Sequence, residues 1–121
     1  MTTWDPDRLA ALDAVGEMTV AAHRHDGTLR TPRIVWHVAV DDRLWIRSVR
    51  GVSGGWYRAA RSTGVGRIEA GGGATDVTFT PDDTRDDAID RAYRDKYGEG
   101  SAVRAITSPE ARATTLRVEP A

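Results

Sequence analysis

The sequence predicts an α+β domain: an antiparallel sheet of about six strands, curled into a barrel and flanked by two or three helices. Three observations lead there. Apolar residues recur with period two in short segments, as they do in half-buried strands. Brief turns carrying glycine or aspartate join those segments in hairpin order. The helical patterns interrupt the series irregularly, unlike the strict alternation of a parallel sheet. At 121 residues and 40% hydrophobic content, the chain reads as one domain spanning 1–121, able to bury a core without disulfide or metal.

The first helix opens at Asp5-Pro6, a capping aspartate before a proline suited to the first helical position, and Gly16 ends it. Its stripe of Leu9, Leu12 and Val15 is thin, as expected of a covering helix. Met18, Val20 and Ala22 alternate in a first strand, and Asp26-Gly27 turns the chain. Arg33 to Val40 reads as one continuous strand, with Ile34, Trp36, Val38 and Val40 on one face and Val35, His37 and Ala39 on the other. Asp41-Asp42 makes a hairpin to a partner strand, Arg43 to Val49. A short helix capped by Ser53 follows, then strands over 64–70 and 75–80 separated by a glycine turn at 71–73. The strongest helix runs from about Arg85 to Tyr97, with Ile89, Ala92, Tyr93, Lys96 and Tyr97 on one face and Gly98 as its cap. Ser108-Pro109 starts a helical turn, and Thr114 to Glu119 closes the sheet.

A net charge of −1 supplies no global field for nucleic acid or an anionic membrane, so neither is an expected partner. With no cysteine there is no thiolate nucleophile or thiolate metal site. The N-terminal residues lack a signal pattern and no apolar run reaches membrane-spanning length, so the expected location is the cytoplasm.

The unusual chemistry lies between Arg47 and Ala60, where a strand meets a glycine turn and Trp56-Tyr57-Arg58 begins a helix. Amides freed at Gly54 and Gly55, with Arg47, Arg50 and Arg58 nearby, would form an anion pocket at a helix N-terminus. His23, His25 and Asp26 form a polar turn rather than a metal site, because no further ligand spacing supports one. Lys96, on an apolar helical face, can reach a phosphate or extend to solvent over the core. No phosphate-binding loop, dinucleotide fingerprint or nucleophile elbow is present.

The order of Asp26-Gly-Thr-Leu-Arg-Thr-Pro32, Val35-Trp36, Arg47-Ser48, Gly51, Trp56-Tyr57 and Ala92-Tyr-Arg-Asp-Lys-Tyr97 resembles the split β-barrel superfamily of flavin-binding proteins. That group includes pyridoxamine-phosphate oxidases and deazaflavin-dependent nitroreductases. Within it, the likeness is to short bacterial proteins grouped as a domain of unknown function. The resemblance implies a homodimeric oxidoreductase of small molecules using FMN or a deazaflavin. By the same resemblance, Arg30, Thr31 and Pro32 would lie along the cofactor, and Ser48, Gly51, Trp56 and Tyr57 would form the corner over its tail. Trp36 or Tyr57 would pack the ring, Arg47 with the Gly54-Gly55 amides would hold the anion, and Arg50, Arg58 and Lys96 would add charge. Tyr57 or Tyr93 would be the available proton donor, while Tyr93 and Tyr97 would pack at the dimer interface. The lysine expected in the first turn is absent, leaving Arg24 or Arg30 in its place. That departure keeps a second expectation open: a cofactor-free member that binds an anionic or aromatic metabolite, as a binding module or as a lyase, isomerase or cyclase.

Overall fold

The computed structural model describes residues 3–121. After helix α1 (Pro6–Ala14) come strands β1 (Met18–Ala22), β2 (Arg33–Val35), β3 (His37–Val40) and β4 (Arg43–Ile46). Helix α2 (Gly55–Thr63) leads to β5 (Val65–Ala70) and β6 (Gly73–Pro81). Helices α3 (Asp86–Tyr97), α4 (Ser101–Ile106) and α5 (Pro109–Arg112) precede the last strand, β7 (Leu116–Pro120). The strands form one antiparallel sheet in the order β2-β1-β5-β6-β7-β4-β3, so it has seven strands rather than six.

The extra strand comes from the stretch that the sequence reads as unbroken. Arg33 to Val35 pairs with β1, whereas His37 to Val40 pairs with β4 at the opposite edge. Only Trp36 separates the two halves. Consecutive segments can occupy opposite edges only if the sheet curls back on itself. The barrel is therefore nearly closed, with covalent continuity at Trp36 bridging the gap that hydrogen bonds leave. Alternation survives the bend: Val35 packs in the barrel core, and Val38 packs outside it.

Two-residue turns tighten the ladder. Asp41 and Asp42 both take positive φ (55° and 60°), as do Gly71 and Gly72 (59° and 82°), the geometry that suits hairpins of right-twisted strands. At Gly66 a side chain is excluded, since a Cβ there would lie 2.3 Å from the Ala21 carbonyl oxygen and 2.8 Å from the Phe79 ring. The interior holds Met18, Val20, Leu44, Ile46, Ile68, Val77, Leu116 and Val118.

Three helices have substantial length: α1 and α2 at 9 residues each and α3 at 12. As its sequence suggests, α1 is capped by Asp5, which accepts from the Arg8 amide. It packs Leu9 and Leu12 into the core, and the Arg8 guanidinium donates to Ala70 O and Gly73 O on the β5–β6 turn. Tyr57, Ala59 and Ala60 of α2 also enter the barrel core. α3 and α4 lie outside, where Ile89, Tyr93 and Ile106 meet Val38 and Trp45 in a second cluster. Among the described residues no helix is long and apolar enough to cross a membrane.

Candidate functional site

The chain leaves β4 at Arg47, makes a 3₁₀ turn over Gly51–Ser53 and enters α2. Ser53 does not cap that helix; its hydroxyl donates to Arg50 O (3.0 Å), and the cap position falls to Gly54, which has no side chain to offer. The first intrahelical bond is from the Arg58 amide to Gly54 O (3.0 Å). The amides of Gly55, Trp56 and Tyr57 therefore have no acceptor among the described residues and point out of the positive end of the helix. Buried Ser48 stands beside them, and a Cβ on Gly54 would come within 2.3 Å of its hydroxyl oxygen. Glycine at 54 is what lets these two strands of backbone approach.

Around this corner, three hollows join into one groove along Trp56. The middle one, about 550 Å³, is walled by Ser48, Gly54, Gly55, Arg33 and Arg50. On one side lies an apolar hollow of about 340 Å³, bounded by Ile34, Trp36, Val49, Ala102 and Ala105. Trp36 is backed by Tyr97, whose ring stacks on it at 4.0 Å and 8°. On the other side, Arg24, Arg30, Thr31 and Arg33 surround about 220 Å³. No carboxylate walls any of the three.

Larger hollows elsewhere are acidic. One, of about 820 Å³, is lined by Asp82, Asp83, Asp86 and Arg112, and Asp82 and Asp86 already have arginine partners. Burial works against an ionised Asp82, yet hydrogen bonds from Thr84 and Arg117 outweigh it and hold the carboxyl below its usual range. Another, of about 610 Å³, lies between α1 and the β3–β4 turn, with Asp13, Asp41, Asp42 and Glu119 around it. Size alone does not select either over the groove, whose helix-end amides lack partners among the described residues.

Of the residues expected at the site, Arg30, Thr31, Trp36, Ser48, Arg50, Gly54, Gly55 and Trp56 line the groove. Arg47 also borders the apolar hollow, but its guanidinium is not available to an anion. It is 1% exposed and donates to Thr115 Oγ1, Asp90 Oδ1, Ile106 O, and both Asp86 O and Asp86 Oδ1. The expectation that it holds a cofactor tail gives way to an internal role.

Tyr93 likewise leaves the list of proton donors. It is wholly buried, its hydroxyl donates to Trp36 O (3.3 Å), and burial drives its pKa upward. Tyr57 points into the barrel core, its hydroxyl accepting from Arg61 (2.9 Å), so its backbone amide rather than its ring serves the corner. Lys96 is directed away from the corner, donating to His37 O (2.9 Å) and facing Asp13 at 3.7 Å. Gly51 packs against Glu110 at φ +67°, a turn requirement, while Pro32 and Arg58 are exposed beside the groove without lining it. Sequence reasoning missed Arg33, Ile34, Val49, Ala102 and Ala105. Ile34 (63% exposed) lies on the edge strand β2 and Val49 (57%) in the turn after β4, and the chain announces neither exposure.

A family model described as an uncharacterized protein conserved in bacteria (DUF2255) matches residues 8–118. No curated protein matches the sequence. Among solved structures, a Listeria innocua protein provisionally assigned as a pyridoxamine 5′-phosphate oxidase is similar at 12% identity and TM-score 0.60, over 95% of this chain and 90% of that one. An F420 reductase is similar at 16% identity and TM-score 0.59, over 93% and 91% of the two chains. The FAD- and haem-binding protein of Mycobacterium smegmatis is similar at 19% identity and TM-score 0.56, over 97% of this chain and 66% of that one. At these identities the likeness establishes a shared split-barrel fold.

Proposed function

We propose a function for a chain that belongs to the bacterial DUF2255 family: it binds a flavin-type cofactor, FMN or a deazaflavin, in the groove along Trp56 and serves as an oxidoreductase of small molecules. One observation carries this reading. The groove places unpartnered helix amides and uncompensated arginines directly beside an apolar hollow walled by tryptophan. A planar ring with a phosphate-bearing tail needs that combination of surfaces. Solved relatives on this fold, an F420 reductase and an FAD- and haem-binding protein, support it.

When bound, the cofactor would supply the hydride chemistry. The chain's part would be to bind and orient. The amides of Gly55, Trp56 and Tyr57, with Ser48 and Arg50, would fix the phosphate. Trp36, steadied by Tyr97, and Trp56 would hold the ring away from water. No tyrosine side chain of the expected set reaches the groove as an acid, which leaves proton transfer to solvent or substrate.

We also propose a homodimer closing over this face. Ile34, Val49 and Val52, exposed at 63%, 57% and 64%, are large apolar residues around the groove that a second copy would cover. Titrating FMN and coenzyme F420 into the protein while following ligand fluorescence, with light scattering on the same sample, tests both proposals. Saturable quenching by a dimer is expected. If neither ligand responds, the cofactor reading fails and a cofactor-free binder remains; a monomeric mass overturns the dimer.

A further inference from the structure

We infer that the groove is built for a ligand with two separate anionic centres, and that it discriminates against a ligand carrying a single phosphate such as FMN. This rests on the cofactor reading above and sharpens it.

The argument begins with how the hollows connect. Trp56 borders all three. Ile34 and Val49 are shared between the amide corner and the apolar hollow, whereas Gly55 and Arg33 are shared between the amide corner and the arginine hollow. The amide corner is thus the middle of the groove. A ring in the apolar hollow with one phosphate at the helix N-terminus occupies two compartments and leaves the third, of about 220 Å³, vacant of ligand charge.

That third compartment is cationic. Arg24, Arg30 and Arg33 converge on it and no carboxylate shares its wall. By contrast, Arg47, Arg67, Arg85, Arg112 and Arg117 each face an aspartate or glutamate. Three guanidiniums around one small hollow repel one another in the free protein, and a bound anion relieves that repulsion.

Arg24 is also braced for the task. Its Nη1 donates to Leu29 O (2.7 Å) and Thr28 Oγ1 (3.2 Å), leaving Nε and Nη2 uncommitted. The neighbouring Asp26 lies outside the wall of the hollow; its carboxylate accepts from the Thr28 amide and hydroxyl, and these bonds, with a smaller contribution from the Arg24 charge, hold its pKa below the usual range. The loop bearing these arginines is itself fixed by the Arg30 amide, which donates to Ala22 O (3.0 Å).

The second anion could be the outer phosphate of a dinucleotide or the carboxylate of an extended deazaflavin tail. The shared chemistry is an anionic group beyond the first phosphate. Titrations with riboflavin, FMN, FAD and coenzyme F420 on the wild-type protein, and on Arg24→Gln/Arg30→Gln, separate the cases. Both arginines are exposed, and a melting curve verifies that the double variant is folded. FAD, F420 or both should bind at least about tenfold more tightly than FMN, the scale of one or two charge-assisted hydrogen bonds. Whichever of the two shows the advantage identifies the source. The double variant should erase most of that advantage while leaving FMN affinity unchanged. FMN binding as tightly as both longer ligands, or a uniform loss across all ligands in the variant, overturns the inference but spares the cofactor reading. Failure of all four to bind overturns both.

Discussion

Every nitrogen of the Arg47 guanidinium ends on a protein acceptor, and those acceptors belong to α3, α4 and the residue before β7. Asp90 and Asp86 also face Arg112, at 3.3 Å and 4.0 Å, so the buried charges compensate one another. A second buried polar residue has no such completion. His37 is fully buried; its Nε2–H donates to Leu12 O (2.6 Å), and Nδ1 has no partner. Desolvation lowers its pKa most; the Leu12 carbonyl opposes it, the nearby Lys96 ammonium adds to the lowering, and Asp13 pulls more weakly the other way. The folded protein keeps His37 neutral while the unfolded chain protonates near the ordinary histidine value of 6.5, so stability should fall as pH drops below 6.5 toward the lowered folded value. Melting temperatures across pH 5–8 for wild type and His37→Gln check this: the variant should show a shallower acid slope, and equal slopes would contradict the assignment. At this scale the sequence showed only residue types. Arginines near a glycine turn are visible in the chain, but Arg47 pairs with carboxylates 39 and 43 positions away, and only the fold decides which arginine is neutralised.

Among the elements, α2 and the strand pair β1–β5 set the groove's position. Their patterns were legible because they rest on local rules: period-two alternation, glycine at tight approaches and hydrophobic spacing on helices. The break at Trp36 was not, since alternation runs straight through it and only the change of pairing partner divides β2 from β3. Helix α4 also escaped, because six residues give too short a stripe to recognise, yet its Ala102 and Ala105 wall the apolar hollow. The β1–β5 contact is the tightest of these constraints. Gly66→Ala would push a methyl against backbone in β1, where no side chain can move aside, and should cost about 1–3 kcal/mol or more. Chemical denaturation reads it directly; an unchanged midpoint would mean that the strands can separate without penalty.

For the whole molecule, curling the sheet brings β2 against the corner formed by β4 and α2, and that closure assembles the groove. Residues 24–36, 47–56 and 102–106 meet there, far apart in sequence. The sequence located the glycine corner and several lining residues; it could not locate the compartment beyond, which depends on how the edges meet. The claim that the helix-end amides hold an anionic cofactor is tested most directly by Gly55→Pro. Gly55 is the first residue of α2, a Cβ there meets nothing within 4 Å, and Gly54 already has the extended geometry (φ −59°, ψ 133°) that proline requires of its predecessor. The substitution removes one free N–H while leaving the helix intact. Cofactor titration should show affinity reduced about tenfold at an unchanged melting temperature. Undiminished affinity in a folded Gly55→Pro protein would contradict the account.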